Sequence, residues 1–285
     1  MKEIIILSGK GGSGKTITTS AFAALAKNKV MVDCDVDAAD LHLILHPEIK
    51  ESGIFKCGVT AEIDKDLCRE CGRCIRACRF DSISNDFVVN PLSCEGCNFC
   101  KIVCPANAIT LHENESGEWF ISESRFGPFV HAKLGIAEEN SGKLIALIKE
   151  KAKTLAEKIS ADWIIVDGSP GIGCPVTSAL TGSSAAVIVI EATQSGLHDA
   201  SRVIEVAKHF KIPIFAIINK YDLNDKLTLE IESYCTNNDI TLLGKIKFDK
   251  VVVESIVAGK SIIEFDDGEV SQTITKIWEK LKTQL

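Results

Sequence analysis

The chain has 285 residues, of which 25% are charged and 46% hydrophobic, with a formal net charge of −7 and twelve cysteines. This length accommodates one large domain and a small one, and the composition is that of an ordinary globular protein. The negative charge argues against an open basic surface, so no nucleic-acid partner is expected. No apolar run is long enough to cross a bilayer, and the opening "MKEIIIL" is too short for a signal peptide. We therefore expect a cytoplasmic protein whose cysteines are explained by metal before disulfides.

Strands and helices alternate along most of the chain, which predicts an α/β fold with a mostly parallel sheet and helices on both faces. The predicted elements are a strand at 3–9, a helix at 14–28, a strand at 29–35, a short helix at 37–45, strands at 118–124 and 127–135, a long amphipathic helix at 139–159, a strand at 162–168, a helix after Pro175, a strand at 185–192, a helix at 196–210, a strand at 214–220 and two further strand–helix units.

Between about Phe55 and His112 this alternation gives way to cysteines, glycines and short irregular pieces. Because the pattern resumes afterwards, the segment is predicted to be an insertion and not a linker. We expect a discontinuous domain over residues 1–55 and 113–285, interrupted by a small α+β domain over residues 56–112.

The segment "GKGGSGKT", Gly9–Thr16, follows the first strand and precedes the first helix. Its glycines allow a tight turn whose N–H groups point at phosphate oxygens, while Lys15 reaches the β- and γ-phosphates and Thr16 ligates Mg²⁺. The sequence therefore predicts a Mg²⁺-dependent ATP site and ATP hydrolysis. The predicted nucleotide-binding residues are Gly11, Gly12, Ser13, Gly14, Lys15, Thr16 and Ile17.

A second lysine at the start of this loop, Lys10, is typical of the deviant Walker A motif, and here the sequence resembles the MinD/ParA/nitrogenase iron-protein class of P-loop ATPases. The resemblance implies that Lys10 reaches the partner's nucleotide across a homodimer. It also implies that "VMVDCDVDAADL" is switch I, with Asp35 orienting the attacking water and Asp33 near Mg²⁺. "DWIIVDGSPGIG" resembles Walker B and switch II, with Asp167 holding a Mg²⁺-bound water.

Two further positions, Asn219 and Ile17, give weaker evidence for the resemblance. Asn219, in "IINKYD", corresponds to the residue that hydrogen-bonds adenine in this class, although Asn is also common in turns. Ile17 stands where the family usually has a second threonine, so backbone N–H groups would hold the α-phosphate.

Eight of the twelve cysteines fall between Cys68 and Cys104 in two runs with x2, x2, x3 spacing. This is the spacing of two-cluster bacterial ferredoxins, in which the fourth cysteine of each run ligates the other cluster. The resemblance assigns Cys68, Cys71, Cys74 and Cys104 to one [4Fe-4S] cluster, and Cys94, Cys97, Cys100 and Cys78 to the other. Zinc is the alternative, since repeated C-x2-C also forms zinc ribbons.

The whole chain thus resembles a MinD-superfamily ATPase with an inserted ferredoxin domain, which implies coupling of ATP/ADP state to electron transfer with a redox partner protein. Two alternatives remain open. One is an ATP-dependent carrier that delivers clusters to an apo-metalloprotein client. The other is a MinD-like positioning ATPase, for which the apolar face of the C-terminal helix, Ile274, Ile277, Trp278 and Leu281, would contact a membrane instead of the core. Cys174 is predicted to pack or to ligate a further metal.

Overall fold

A computed structural model describes residues 1–36, 39–135 and 141–285. It contains a nine-stranded sheet in the order β3-β4-β5-β2-β6-β1-β7-β8-β9. The strands are β1 (Lys2–Leu7), β2 (Lys29–Asp33), β3 (Glu48–Ile63), β4 (Ile109–Ser124), β5 (Gly127–Leu134), β6 (Trp163–Asp167), β7 (Ala185–Glu191), β8 (Ile214–Asn219) and β9 (Thr241–Ile246).

Eleven α-helices and one 3₁₀ turn (Tyr221–Leu223) lie within the described residues. The helices are α1 (Lys15–Leu25), α2 (Leu41–Leu45), α3 (Arg73–Ala77), α4 (Phe99–Ile102), α5 (Ser141–Lys158), α6 (Cys174–Leu180), α7 (Gln194–Lys208), α8 (Asp225–Asn237), α9 (Lys250–Val257), α10 (Ile262–Phe265) and α11 (Glu269–Gln284). None of the helices in these described ranges has both the length and the apolar character needed to cross a membrane.

The sheet is parallel from β5 through β2, β6, β1, β7 and β8 to β9, which confirms the predicted α/β class. The connection from β1 to β2 runs in one direction along the sheet, and those from β7 to β8 and from β8 to β9 run in the other. Right-handed crossovers therefore put α1 on one face and α7 and α8 on the other. β4 is the neighbour of β5 in the sheet and joins it through the two residues Arg125 and Phe126, so this pair runs antiparallel.

Two parts of the secondary-structure prediction are wrong. The predicted irregular segment begins and ends in 16-residue strands, β3 and β4, and only its centre is irregular. After β8 there is one further strand, β9, followed by helices within the described residues, instead of two strand–helix units. The helix α9 carries three consecutive valines, a run that periodicity alone does not distinguish from a buried strand.

The chain divides into two compact units. The larger unit comprises Met1–Gly53, Trp119–Lys133 and Ser141–Leu285, and the smaller comprises Ile54–Glu118 with Leu134 and Gly135. Strands β3 and β4 contribute residues to both units.

The apolar face of α11 belongs to the core of the larger unit. Trp278 is 1% exposed, and its ring centroid lies 5.0 Å from that of Phe22 and 5.4 Å from that of Trp163. Ile274, Ile277 and Leu281 are buried in the same cluster. The sequence allowed this apolar face to contact either the core or a membrane. In the structure it belongs to the core.

The smaller unit has a small core of its own. Ala61, Ile83 and Ile109 are buried together with Cys74, and several of the other cysteines pack against them. A core of this size stabilises a domain only weakly without a further cross-link.

Candidate nucleotide site and cysteine-lined cavities

The glycine-rich loop joins β1 to α1 at the carboxyl edge of the sheet. Gly12 and Gly14 have φ of 75° and 99°, and α1 begins at Lys15. A Cβ at position 14 would collide with the Asn219 amide, so both backbone conformation and space require glycine there. Because β1 lies where the strand order reverses, the loop occupies the position at which open α/β sheets bind ligands.

Three carboxylates predicted from two separate segments lie around Lys15. Asp33 and Asp167 end the neighbouring parallel strands β2 and β6 and are in register with one another. The Lys15 ammonium lies 3.0 Å from Asp167 Oδ1 and 3.4 Å from Asp35 Oδ2. Lys15 is buried, so its cation and the two carboxylates form an ion-paired group beneath the loop.

The charges of this group perturb one another. Burial disfavours the Lys15 ammonium, but Asp167, Asp35 and Asp33 outweigh it, so the pKa of Lys15 is raised. Burial, reinforced by the nearby charge of Asp167, raises the pKa of Asp33 well above its ordinary value. The site thus holds more negative charge than Lys15 alone compensates.

The donor set fits Mg²⁺. Asp33 Oδ2 is buried and, among the described residues, has no hydrogen-bond partner, while Asp33 Oδ1 accepts from the Asp35 N–H at 3.0 Å. Thr16 Oγ1 donates to Asp167 Oδ2 at 2.9 Å. Carboxylate and hydroxyl oxygens are the ligands Mg²⁺ prefers, and a dication would supply the missing positive charge.

Thr19 is a member of this site that the sequence analysis missed. Its hydroxyl lies 2.9 Å from Asp167 Oδ1 and 3.0 Å from the Lys15 carbonyl oxygen, so it fixes the orientation of the Walker B carboxylate. Its spacing from Lys15, one helical turn along α1 on the same face, was the available signal.

Lys10 is bound within its own chain. Its ammonium lies 2.7 Å from Glu191 Oε2 and 3.1 and 3.3 Å from the Ser195 and Thr193 hydroxyls. Lys220 contacts the other oxygen of Glu191 at 2.8 Å. Burial would raise the pKa of Glu191, but hydrogen bonds from the two lysines hold it below its ordinary value. Glu191 and Lys220 were not singled out from the sequence.

Asn219, the last residue of β8, lies beside the loop, and its side chain is hydrogen-bonded there. Its amide nitrogen donates to the Ser13 carbonyl oxygen at 2.8 Å, and its amide oxygen accepts from the Lys220 N–H at 3.0 Å. In this arrangement Asn219 supports the phosphate-binding loop. Its adenine contact stays a prediction.

A pocket of about 540 Å³ opens beside the loop, a size suited to a small ligand. One wall is polar and consists of the loop from Gly11 to Ile17 with Asp35 and Asn219. The other wall is apolar and comes from α2 and α9 with the segment before α9; its apolar residues are Leu43, Ile44, Phe248, Val252, Val253 and Ile256. A polar wall for phosphates and an apolar wall for a base suit a nucleotide.

Two cavities in the smaller unit divide the eight clustered cysteines. One is lined by Cys68, Cys71, Cys74 and Cys104, and the other by Cys78, Cys94, Cys97 and Cys100. Each set combines three cysteines of one run with the fourth cysteine of the other run, which is the crossed grouping that the ferredoxin resemblance implies.

The donor set of each cavity fits an iron–sulfur cluster. Each offers four thiols. In the cavity that Cys68 and Cys104 line, the Glu70 and Ala108 N–H groups lie 3.4 Å from these two sulfurs, as donors to thiolate would. Among the described residues no three His, Cys, Asp or Glu side chains converge as ligands of a single ion. A cubane would bind each cysteine through a different iron, so its four ligands need not converge on one ion.

The remaining cysteines lie elsewhere. Cys34 and Cys235 are buried, and burial raises the pKa of both thiols, that of Cys235 to about 11. They behave as small core residues. Cys174 is exposed at the first residue of α6.

Three features define a P-loop nucleotide-binding protein: the parallel sheet, the glycine-rich loop at its switch point, and the ion pair between Lys15 of the loop and Asp167 at the end of β6. Residues 4–262 match the CobQ/CobB/MinD/ParA nucleotide binding domain family. The chain belongs to this family.

The chain is also similar to individual proteins. An uncharacterized protein of Methanocaldococcus jannaschii is 34% identical over 98% of this chain and 96% of its own length. The septum site-determining protein MinD of Pyrococcus horikoshii, solved with Mg-ADP, superposes with a TM-score of 0.63 over 99% of this chain and 96% of that one at 19% identity. A putative formate dehydrogenase of Staphylococcus haemolyticus matches locally, 27% identical over 39% of this chain and 13% of that protein.

Proposed function

We propose that this protein is a Mg²⁺-dependent ATPase that couples its nucleotide state to electron transfer through two [4Fe-4S] clusters. The observation that carries the proposal is the division of eight cysteines between two cavities in the crossed grouping of two-cluster ferredoxins. Residues 56–112 then form the electron-transfer insert of an ATPase domain over residues 1–55 and 113–285.

On the nucleotide side, the loop N–H groups and Lys15 bind the phosphates, and Thr16, Asp33 and Asp167 hold Mg²⁺ directly or through water. The similar MinD of Pyrococcus horikoshii, solved with Mg-ADP, supports this assignment. Asp35, which closes on Lys15 in this structure, turns toward the γ-phosphate and orients water for hydrolysis. Lys10 acts in a homodimer, where it contacts the nucleotide of the partner.

On the cysteine side, the two sets of four thiolates hold one cluster each, and such clusters accept and release one electron at a time when bound. The thiolates also cross-link a domain whose apolar core is small. The local match to a protein named as a putative formate dehydrogenase, an oxidoreductase, supports a redox role.

Coupling is supported by how the chain enters and leaves the insert. The helix α2 lines the nucleotide pocket and leads within a few residues into β3. At its end the His46 Nε2 atom is hydrogen-bonded to the Gly259 carbonyl oxygen at 3.0 Å. Arg125, in the turn after β4, donates to the same oxygen at 3.1 Å and pairs with Glu264 at 2.8 Å.

The Gly259 turn directly follows α9, which forms the apolar wall of the pocket. A nucleotide that moves α2 or α9 therefore acts on both chain connections to the insert. Residues 37 and 38 of the proposed switch I lie outside the described residues.

The test is anaerobic purification followed by iron analysis, EPR spectroscopy and an ATPase assay. The proposal requires about eight iron atoms per chain, a reduced [4Fe-4S] signal and Mg²⁺-dependent hydrolysis. Stoichiometric zinc without iron after anaerobic reconstitution would refute the cluster assignment.

A further inference from the structure

A shallow, open groove lies on the surface of the smaller unit between α3 and the end of α4. It is lined by Arg73, Arg76 and Ala77 on one side and by residues 102–105 on the other. We refer to it as the arginine groove. It is separate from the nucleotide pocket and takes no part in holding ATP.

The two arginines of the groove are exposed and lie one turn apart on α3. Within the part of the chain that the structure describes, neither guanidinium forms an ion pair. Arg76 folds back along its helix, since a Cβ at Gly72 would lie 3.1 Å from Arg76 Nη1. The groove thus presents two positive charges without compensating carboxylates.

The segment that contains α3 has a side-chain charge opposite in sign to that of the whole chain. Residues 68–80 contain four arginines and one glutamate, whereas the full chain has a net charge of −7. A local positive patch on a negatively charged protein orients an approaching acidic molecule toward that patch.

The groove also has an apolar component. Ile102 is 70% exposed, and Pro105 lies beside it in the same lining. A small anion is not stabilised by contact with apolar side chains, whereas protein interfaces combine an apolar centre with a charged rim. The mixture favours a protein as the occupant.

The groove shares its walls with both cysteine-lined cavities. Arg73, Cys104 and Pro105 also line the first cavity, and Ala77 also lines the second. A molecule in the groove would therefore be separated from each cavity by a single layer of residues.

We propose that the arginine groove docks an acidic electron-carrier protein, whose carboxylates pair with Arg73 and Arg76 around an apolar contact on Ile102. This inference rests on the proposed electron-transfer function and adds the docking surface and the chemistry of the partner. In the exchange the carrier loses one electron and this protein gains one, or the reverse, and no bond is made or broken.

The test uses the full chain with its clusters and a purified acidic ferredoxin as the probe. Binding is measured calorimetrically, and electron exchange by stopped-flow absorbance, at about 20 mM and about 300 mM salt. Wild-type protein should bind and react faster at the lower salt. The double variant R73E/R76E should slow association by roughly tenfold or more and flatten its salt dependence. If this variant loses iron, R73Q/R76Q replaces it, with a smaller loss in the same direction.

The matched control is K56E/K65E, which changes the net charge by the same amount at exposed positions of the smaller unit outside the groove. It should remain within about twofold of wild type. An equal effect of both double variants, no effect of R73E/R76E, or no binding by wild type would each overturn the docking proposal. Arginine-dependent binding without electron exchange would support the docking surface and contradict the proposed function.

Discussion

The ammonium of Lys10 lies 2.7 Å from the carboxylate of Glu191, whose second oxygen is held by Lys220. Lys10 is the residue proposed to reach the nucleotide of a partner subunit. To do so it must leave Glu191 and the Thr193 and Ser195 hydroxyls, so the free chain holds this lysine in an alternative position.

Because of this competition, substitutions of Lys10 and Glu191 should change dimerisation in opposite directions. Lys10→Ala should leave ATP binding nearly intact but weaken nucleotide-driven dimerisation and hydrolysis, because its partner-directed charge is lost. Glu191→Gln should strengthen dimerisation, by roughly 1 kcal/mol or about fivefold, because it releases a partly exposed ion pair. Sedimentation with a non-hydrolysable ATP analogue measures both. Unchanged hydrolysis by Lys10→Ala would exclude the role across the dimer.

Lys15→Ala should abolish tight Mg-ATP binding, because the phosphates lose their buried cation. In the nucleotide-free protein it should also lower the free energy of unfolding by about 3 kcal/mol, since Asp167 and Asp35 lose their counter-ion. Nucleotide titration and denaturant unfolding check the two effects. Lys27→Ala, at an exposed position, is the control and should change neither. Wild-type ATP affinity in Lys15→Ala would contradict the loop assignment.

Cys78→Ser tests the crossed grouping of the cysteines. It should remove the cluster of the cavity lined by Cys94, Cys97 and Cys100, leaving about four of eight iron atoms. Iron analysis and EPR spectroscopy of anaerobic protein measure this. Cys174→Ser should retain all the iron. If Cys78→Ser instead altered the EPR signal of the cluster bound by Cys68, Cys71 and Cys74, the two runs would not be crossed.

Arg125→Ala tests the connection at Gly259. It removes the hydrogen bond to that carbonyl and the pair with Glu264, so oxidised and reduced protein should differ less in nucleotide affinity than in wild type. Iron content should stay unchanged. Arg202→Ala, an exposed arginine on α7, provides the control. A wild-type affinity difference in Arg125→Ala would exclude this route.

Parts of the site that depend on local sequence could be predicted. The loop from Gly9 to Thr16 is a contiguous turn between a strand and a helix. The family resemblance implied that Asp33 and Asp167 lie near Mg²⁺, and the structure places both at the ends of β2 and β6. Glu191 and Lys220 could not be predicted as partners of Lys10, because their contact depends on the pairing of β7 with β8 beside the loop. The engagement of Asn219 by the loop has the same cause.

The cysteine-containing segment was also only partly predictable from the sequence. The ferredoxin resemblance carried by its cysteine spacing implied the crossed grouping of thiols that the two cavities show. Of the 16-residue strands β3 and β4, only residues 118–124 of β4 were predicted, because long strands exposed over much of their length show no clean alternation of apolar and polar residues.

The central claim is that nucleotide state and cluster oxidation state are coupled. Its most direct test is a redox titration of anaerobic protein with ADP, with a non-hydrolysable ATP analogue and with neither. A coupling of 1–3 kcal/mol corresponds to a roughly 5- to 150-fold change in nucleotide affinity between redox states. The same coupling shifts a one-electron midpoint potential by about 40–130 mV, at 59 mV per tenfold. The account predicts a shift within this range between the ADP and ATP-analogue titrations. Identical midpoints in all three titrations would contradict it.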